Sequence, residues 1–148
     1  MIIDQILSQI KKDTEIWQSP IHGVDHWERV RENGLFIARH GGADTAVVEY
    51  FSCLHDSQRW NEYEDPEHGP RAAMYAQKHR EIIDLDDNQF DLLQKACSEH
   101  PHLLPGGNIV VDATLEACWD SDRLDIGRVG IEVDPTFLFS QIAKDLVT

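Results

Sequence analysis

The chain has 148 residues, of which 41% are hydrophobic, so it is long and apolar enough to bury the core of a single domain over residues 1–148. Its 13 basic and 27 acidic residues give a net charge of -14, which argues against general binding to nucleic acids or to anionic membranes. A small phosphorylated substrate is compatible with this charge, because bound cations reverse the sign of the local field.

The apolar residues of the first half are spaced at helical intervals and predict three helices. The first lies within residues 1–19, runs to about Trp17 and ends before Pro20. The second runs from Gly23 to about His40, and the third follows Asp44, which is a suitable N-cap. No segment alternates apolar and polar residues for long enough to form a sheet, so we predict an all-α fold of about six to eight helices.

The third predicted helix ends in an apolar run that is followed by His55 and Asp56. His55 shares the helix face of Phe51 and Leu54, which is the face that we expect to be buried. Unpaired buried polar groups are costly, so His55 and its neighbour Asp56 both need partners. A metal ion is one alternative, and a structural hydrogen bond between the two side chains is the other.

The second half of the chain predicts a loop and four further helices. These are a loop over 57–65, a fourth helix from Asp65-Pro66 to about Arg80, a fifth from Asp86 or Asp87 to just before Pro101, a sixth from near Ile109 to about Leu124, and a C-terminal helix over 134–147. Residues 105–108 predict a turn. Residues 109–111 have the alternative of a short strand, for which the sequence offers no partner.

The three cysteines, Cys53, Cys97 and Cys118, have no CxxC spacing, and each lies in an apolar helical context. We therefore interpret them as core residues rather than as disulfides or zinc ligands. No apolar run approaches the length of a membrane span, and Asp4 comes too early for a signal peptide. We expect a cytoplasmic protein.

Five predicted helices each place a histidine or an aspartate on the face that we expect to be buried. These residues, together with the aspartate that follows His55, are His26, His55, Asp56, His68, His100 and Asp122. Imidazole and carboxylate ligands without thiolates suit Mn, Fe, Co, Ni, Zn or Mg. The set suffices for two ions that share Asp56 as a bridge, and such a pair can bind a phosphate oxygen and convert a bound water into hydroxide.

Three segments resemble, in order and spacing, the H…HD…D signature of the HD-domain metal-dependent phosphohydrolase superfamily. They are His26-Trp27-Glu28-Arg29-Val30, His55-Asp56 and Ser121-Asp122-Arg123-Leu124-Asp125, and the match extends over residues 22–130. The resemblance implies an all-helical fold and hydrolysis of a phosphomonoester or phosphodiester, in nucleotides or other small phosphoesters. It also implies metal ligation by His26, His55, Asp56 and Asp122.

His68 and His100 resemble the extra histidines of the binuclear members of that superfamily, which implies a second divalent ion beside the first. His102 is the alternative to His100. Asp120 is the alternative to Asp122, which is favoured both by helical phase and by the resemblance. The Gly-Tyr-Pro motif of the branch that hydrolyses cyclic-di-GMP is absent, which argues against that substrate.

Several residues are candidates for contact with the substrate. Arginine suits bidentate contact with phosphate, so Arg59, Arg71 and Arg123 are candidates, with surface ion pairs as the alternative. His22 is a candidate donor to the substrate or a support for a ligand. Asp56 is the candidate catalytic residue. The sequence identifies no separate general base, and a metal-bound hydroxide would make one unnecessary, with Asp56 or Glu62 as the group that assists it.

Two other functions fit the same residues. A related set of HD-fold proteins uses a mixed-valent di-iron site to oxygenate inositol or phosphonates, and the same six ligands would serve it. A metal-binding or ligand-binding domain without catalysis is the other alternative. A zinc protease is disfavoured although His22 and His26 have its spacing, because Gly23 stands where that motif requires glutamate as its general base.

Overall fold

The computed structural model describes residues 1–101, 104–105 and 111–148. These residues contain helices and no strand, which confirms the predicted all-α class. The described α-helices are α1 (Asp4–Asp13), α2 (Val24–Gly41), α3 (Thr45–Leu54), α4 (His68–Lys78), α5 (Asp87–Glu99), α6 (Ala113–Arg123) and α7 (Gln141–Asp145). Within the described ranges, no helix is both long and apolar enough to cross a membrane.

Helix α3 lies at the centre of the fold and packs against α2, α4, α5 and α6. Its predicted inner face is fully buried at Val47, Tyr50, Phe51 and Leu54. Burial of this apolar face stabilises the fold, because it removes apolar surface from water. Since α3 ends at Leu54, the two polar residues that follow, His55 and Asp56, are carried into the interior.

Two glycines bring neighbouring helices into close contact near these polar residues. A Cβ at Gly34 of α2 would lie 2.4 Å from Val48 Cγ1 of α3, and a Cβ at Gly69 of α4 would lie 2.5 Å from the backbone oxygen of Cys97 in α5. Only glycine permits such approaches, because it has no Cβ. The two close pairs, α2 with α3 and α4 with α5, carry the four candidate ligand histidines at their ends.

Two aspartates that the sequence marks as N-caps act as caps in the structure. Asp44 Oδ1 accepts hydrogen bonds from two backbone N–H groups of the first turn of α3, at 3.0 and 3.3 Å. Asp86 rather than Asp87 caps α5, in a capping box with Gln89. Each cap contributes about 1 kcal/mol. The caps determine the residue at which α3 and α5 each begin. They therefore also determine which residues lie on the buried faces of these helices.

The predicted start of the fourth helix at Asp65-Pro66 is wrong, because α4 begins at His68. Asp65 does not cap that helix. Its carboxylate accepts a hydrogen bond from the backbone N–H of Trp60 at 2.8 Å and another from the guanidinium of Arg71. Asp65 therefore holds the polar loop over 57–65 against the first turns of α4. The loop itself agrees with the prediction.

The first helix is shorter than its apolar spacing predicts. It ends at Asp13, and Thr14 is extended and donates its hydroxyl to the backbone oxygen of Ile10 at 3.0 Å. Such side-chain bonds compete with the continuation of a helix. Residues Ile16–Gln18 then form a separate 3-10 turn.

The prediction of one continuous C-terminal helix over 134–147 is wrong. Asp134 caps a short 3-10 turn, Pro135–Phe137, and α7 begins afresh after Ser140, its own N-cap. The break has a physical cause. Leu138 is extended and fully buried, and the carboxylate of Asp120 accepts the backbone N–H groups of the next two residues.

Part of the predicted sixth helix lies outside the described residues. This holds for its start near Ile109, for most of the turn at 105–108, and for the first two residues of the alternative strand at 109–111. Helix α6 is described from Ala113, with Asp112 as its N-cap at 2.7 Å from the backbone N of Thr114. It ends at Arg123, close to the predicted end near Leu124.

Candidate metal centre

The structure brings together all six side chains that the sequence marks as candidate metal ligands. They lie at helix ends: His26 in the first turn of α2, His55 and Asp56 directly after α3, His68 at the start of α4, His100 directly after α5, and Asp122 in the last turn of α6. All of them are buried except Asp122, whose side chain is 22% exposed. Six polar side chains in one interior region need partners or a common ion.

The first group of ligand atoms belongs to His26, His55, Asp56 and Asp122, and these atoms lie within 4.8 Å of one another. His26 Nε2 is 3.0 Å from His55 Nε2, 3.1 Å from Asp122 Oδ1 and 3.3 Å from Asp56 Oδ2. His55 Nε2 is 3.4 Å from each of the two oxygens. A regular tetrahedron with such edges has its centre about 2.0 Å from each corner, which matches Zn–N and Zn–O bonds.

The second group consists of Asp56, His68 and His100, whose ligand atoms also lie within 4.8 Å of one another. His68 Nε2 is 2.9 Å from His100 Nε2, and Asp56 Oδ1 is 3.1 Å from the former and 3.6 Å from the latter. Asp56 therefore turns Oδ2 toward the first group and Oδ1 toward the second. The two groups can each hold a metal ion, and Asp56 has the position of a bridge between them.

Three of the four histidines are oriented by a hydrogen bond between Nδ1 and a backbone oxygen. The oxygens are those of Phe51 (3.1 Å) and Ser52 (2.9 Å) for His55, of Cys97 (2.7 Å) for His100, and of Asp65 for His68. A carbonyl oxygen only accepts, so Nδ1 donates and carries the proton. Nε2 of the neutral ring then presents a lone pair to the centre, which is the form that binds a metal.

These lone pairs face other acceptors. His68 and His100 direct theirs at each other across 2.9 Å, which is repulsive unless a proton or a cation lies between them. Asp56 Oδ2 and Asp122 Oδ1 are buried and have no hydrogen-bond partner within the described part of the chain. Buried acceptors without donors are costly, and a cation in each group would satisfy them. The donor set therefore fits a divalent metal.

The charges of the centre shift the pKa values of its groups. Burial alone would lower the pKa of His26, but the nearby carboxylates of Asp122, Asp125 and Asp56 raise it to about 10. Burial alone would raise the pKa values of Asp56 and Asp122, but the neighbouring imidazoles, His55 first, lower both well below the usual value. The two carboxylates are therefore ionised at neutral pH, while His26 holds a proton that a bound cation must displace.

Asp125 belongs to the centre although the sequence did not mark it as a site residue. Its Oδ2 lies 2.7 Å from His26 Nδ1, and its Oδ1 accepts a hydrogen bond from Arg29 Nε at 2.7 Å. A carboxylate behind a metal-ligating imidazole fixes the ring and increases its basicity. One signal was available, because Arg29 follows His26, and Asp125 follows Asp122, at helical spacing.

A cavity of about 410 Å³ opens onto the centre. Asp56, Asp122, His68 and His100 lie in its wall, and His26 and His55 do not. The second group and both carboxylates therefore face the cavity, while the two other histidines lie behind them. A cavity of this volume is within the range of small-molecule sites, which runs from about 300 to 1,000 Å³.

The cavity wall contains two of the three arginines that the sequence marks for phosphate contact. Arg59 Nε is 3.3 Å from Asp56 Oδ1, and Arg123 Nη1 donates to the backbone oxygen of Phe137 at 2.9 Å. A third arginine of the wall, Arg128, was not predicted, and its Nη2 lies 3.9 Å from Asp122 Oδ1. Its position after the last motif segment, in a 3-10 turn, gave no periodic signal.

Arg71, the remaining predicted arginine, does not line the cavity. Its guanidinium lies 3.8 Å from the ring centroid of Trp60 and pairs with Asp65, and its Nε donates to the backbone oxygen of Gln58 at 3.1 Å. These contacts join the loop over 57–65 to α4. Arg71 therefore supports the loop that forms one side of the cavity.

The alternatives that the sequence left open fall in different places. Asp120 is fully buried and points away from the ligands, since its oxygens accept the backbone N–H groups of Phe139 and Ser140 at 2.7 and 2.8 Å. His102 lies outside the described residues. His22 is buried, lies 3.5 Å from Asp56 Oδ2 through Nδ1, and is not part of the cavity wall.

No protein-family model, curated protein or solved structure matches this sequence. The chemistry of the centre is therefore inferred from its own side chains.

Proposed function

We propose that this protein is a metal-dependent phosphohydrolase of the HD-domain type that binds two divalent ions and acts on small phosphoesters. The observation that carries the proposal is the pair of ligand groups joined by Asp56. Four imidazoles and two carboxylates, without thiolates, suit Mn, Fe, Co, Ni, Zn or Mg. Ions held there would polarise a phosphoryl oxygen and lower the pKa of a bound water.

The charges around the cavity support a phosphorylated substrate. Arg59, Arg123 and Arg128 place three cations in its wall. The four carboxylates of the same wall are those of Asp56, Glu64, Asp65 and Asp122, and two bound divalent ions would offset their charge. The Nη2 groups of Arg123 and Arg128 make no hydrogen bond with the described residues. Guanidinium groups with free N–H donors bind phosphate oxygens in pairs. We assign these two arginines to the phosphate.

An exposed aromatic ring at the cavity supports nucleotides among the small phosphoesters. Tyr63 lies in the wall and is 87% exposed, while the neighbouring Trp60 already stacks on Arg71. A tyrosine ring with a free face can stack on a base. We therefore assign Tyr63 to the base of a nucleotide whose phosphate lies beside Asp56.

The test begins with the metal content of the full chain, purified without an affinity-metal column. Phosphate release is then measured from p-nitrophenyl phosphate, bis-p-nitrophenyl phosphate and nucleoside monophosphates with added Mn, Co or Ni. We expect metal-dependent release that a chelator abolishes. His55→Ala and Asp56→Asn should each cost more than the roughly 10- to 100-fold lost when outer partners of a metal ligand are removed.

The matched controls are His40→Ala and Asp145→Asn, which change the same residue types at exposed positions. Both controls should retain wild-type release. A protein that binds no divalent metal, with unchanged activity in Asp56→Asn, would refute the proposal. Iron at about two ions per chain, with oxygen uptake and no phosphate release, would instead favour the di-iron oxygenase that the same ligands can support.

A further inference from the structure

His22 is a buried histidine that the six-ligand set does not include. It follows the turn at Pro20, and its backbone N–H donates to Ser19 Oγ at 3.0 Å, which holds it just ahead of α2. Only 5% of the residue is exposed. A histidine with so little access to solvent needs a partner at each ring nitrogen.

The Nε2 atom of His22 has a partner that fixes the tautomer of the ring. It lies 3.1 Å from the backbone oxygen of Glu62, in the loop over 57–65. A carbonyl oxygen only accepts, so Nε2 carries the proton and donates. Nδ1 of the neutral ring is therefore a lone pair.

That lone pair faces a second acceptor rather than a donor. His22 Nδ1 is buried without a hydrogen-bond partner in the described residues, and so is Asp56 Oδ2, which lies 3.5 Å away. Two buried acceptors in this arrangement repel each other, and each lacks compensation for its lost hydration. A proton or a metal cation between them would satisfy both atoms at once.

The distances around Asp56 Oδ2 show that His22 lies beside the first ligand group. His26 Nε2 and His55 Nε2 lie 3.3 and 3.4 Å from this oxygen, and His22 Nδ1 lies at 3.5 Å. Two ligands bound to one ion at about 2.1 Å are about 3.0 Å apart at right angles and about 3.4 Å apart in a tetrahedron. His22 does not belong to the group whose ligand atoms all lie within 4.8 Å of one another. Its ring would therefore have to move closer to share one ion with that whole group.

We propose that His22 is a further ligand of the metal centre. His22 binds the ion held by Asp56 Oδ2 through its Nδ1 atom, and the backbone oxygen of Glu62 sets the tautomer of the His22 ring. The proposal rests on the metal centre of the proposed function, but it does not depend on the reaction. A merely structural His22 would tether the loop through Nε2, together with the hydrogen bond from Ser19 Oγ to the Glu62 carboxylate.

The two roles use different ring nitrogens, and two amide substitutions separate them. In His22→Asn the side-chain oxygen can occupy the place of Nδ1, and the donor to Glu62 is lost. In His22→Gln the longer side chain can donate to Glu62, and the acceptor at Nδ1 is lost. His40→Asn and His40→Gln form the control pair, since His40 is exposed and bonds only to the backbone oxygen of Phe36 among the described residues.

The experiment measures the cobalt affinity of the full chain by competition with a chelating dye, and the visible spectrum of the bound Co²⁺. Circular dichroism in the presence of a chelator confirms that each variant is folded. We expect His22→Gln to bind cobalt at least about tenfold more weakly than His22→Asn and to change the cobalt spectrum. Both His40 variants should match the wild type.

The proposal is overturned if the two variants bind cobalt with equal affinity, or if His22→Asn binds cobalt more weakly than His22→Gln. The second result would show that His22 tethers the loop over 57–65. A wild-type chain that binds no cobalt overturns the proposal together with the metal centre. A wild-type chain that binds cobalt but hydrolyses no phosphoester contradicts the proposed reaction alone, because the order of the affinities then still tests His22.

Discussion

Asp120 and Asp122 have separate tasks in the structure, and substitution should separate them. Asp120 is fully buried, and its oxygens accept the backbone N–H groups of Phe139 and Ser140, so it anchors the segment before α7. Asp122 Oδ1 instead faces His26. We expect Asp120→Ala to destabilise the fold, and Asp122→Asn to weaken metal binding.

The size of the first effect follows from the two hydrogen bonds. A hydrogen bond to a charged group contributes about 1.5–3 kcal/mol, so the pair contributes about 3–6 kcal/mol. Burial raises the pKa of Asp120 above its usual value, which means that desolvation offsets part of this gain. We therefore expect Asp120→Ala to lower the free energy of unfolding by about 3 kcal/mol. Asp120→Asn keeps one acceptor oxygen and should cost about half as much.

Urea denaturation in the presence of a chelator, followed by far-UV circular dichroism, measures the stability of both Asp120 variants. Chelator competition measures the metal affinity of Asp120→Asn and of Asp122→Asn, whose side chains are matched. Asp120→Asn should bind metal like the wild type. The assignment fails if Asp120→Asn and Asp122→Asn lose equal affinity, or if Asp120→Ala changes the free energy of unfolding by less than about 0.5 kcal/mol.

Three further outcomes are expected. We expect two binding steps, one for each ligand group, in a calorimetric metal titration of the wild type. Gly69→Ala should remove the step of the second group, because its Cβ would lie 2.5 Å from the backbone oxygen of Cys97 and push α4 away from α5. A Cβ at Gly127 would lie more than 4 Å from every described residue other than its chain neighbours, so Gly127→Ala should keep both steps. Asp125→Asn should lower the affinity of the first ligand group for its ion about 10- to 100-fold, as measured by chelator competition. Wild-type affinity in this variant would contradict the role of Asp125 behind His26. Since the pKa of His26 is raised to about 10, its contribution to the stability of the metal-free protein is complete below the unfolded pKa of 6.5 and is lost as the pH rises through 10. The Tm measured in the presence of a chelator should therefore fall as the pH is raised from 7 to 10. Calorimetry in two buffers at pH 8 should detect about one proton released from the protein when an ion binds to the first ligand group.

The position of the candidate ligands could be predicted because helical periodicity decides which residues share a buried face. His55 follows Phe51 on the inner face of α3, and His68 precedes Ala72 and Ala76 on that of α4, all of them buried. Burial of a short apolar stripe thus carries the polar residue at its end inward. Periodicity also supplied the all-α class, since the described residues contain no strand.

Contacts between distant segments could not be predicted in this way. The bond between Arg29 and Asp125 joins residues 96 positions apart. Helical spacing puts each of them beside a candidate ligand, but no local pattern pairs the two with each other. The break before α7 depends on Asp120, which competes for backbone donors that a helix would otherwise use. Pro66 suggested a helix start, but Asp65 was already engaged by the loop and by Arg71.

The bonds that orient His55 and His100 also complete the ends of two helices. The last carbonyls of a helix lack partners within it, and these rings donate to such groups, at Ser52 near the end of α3 and at Cys97 near the end of α5. The rings are thus held by C-capping bonds. In zinc fingers the metal supplies the folding energy. Here the helices hold the candidate ligands in place without a metal, so the chain should remain folded in the presence of a chelator.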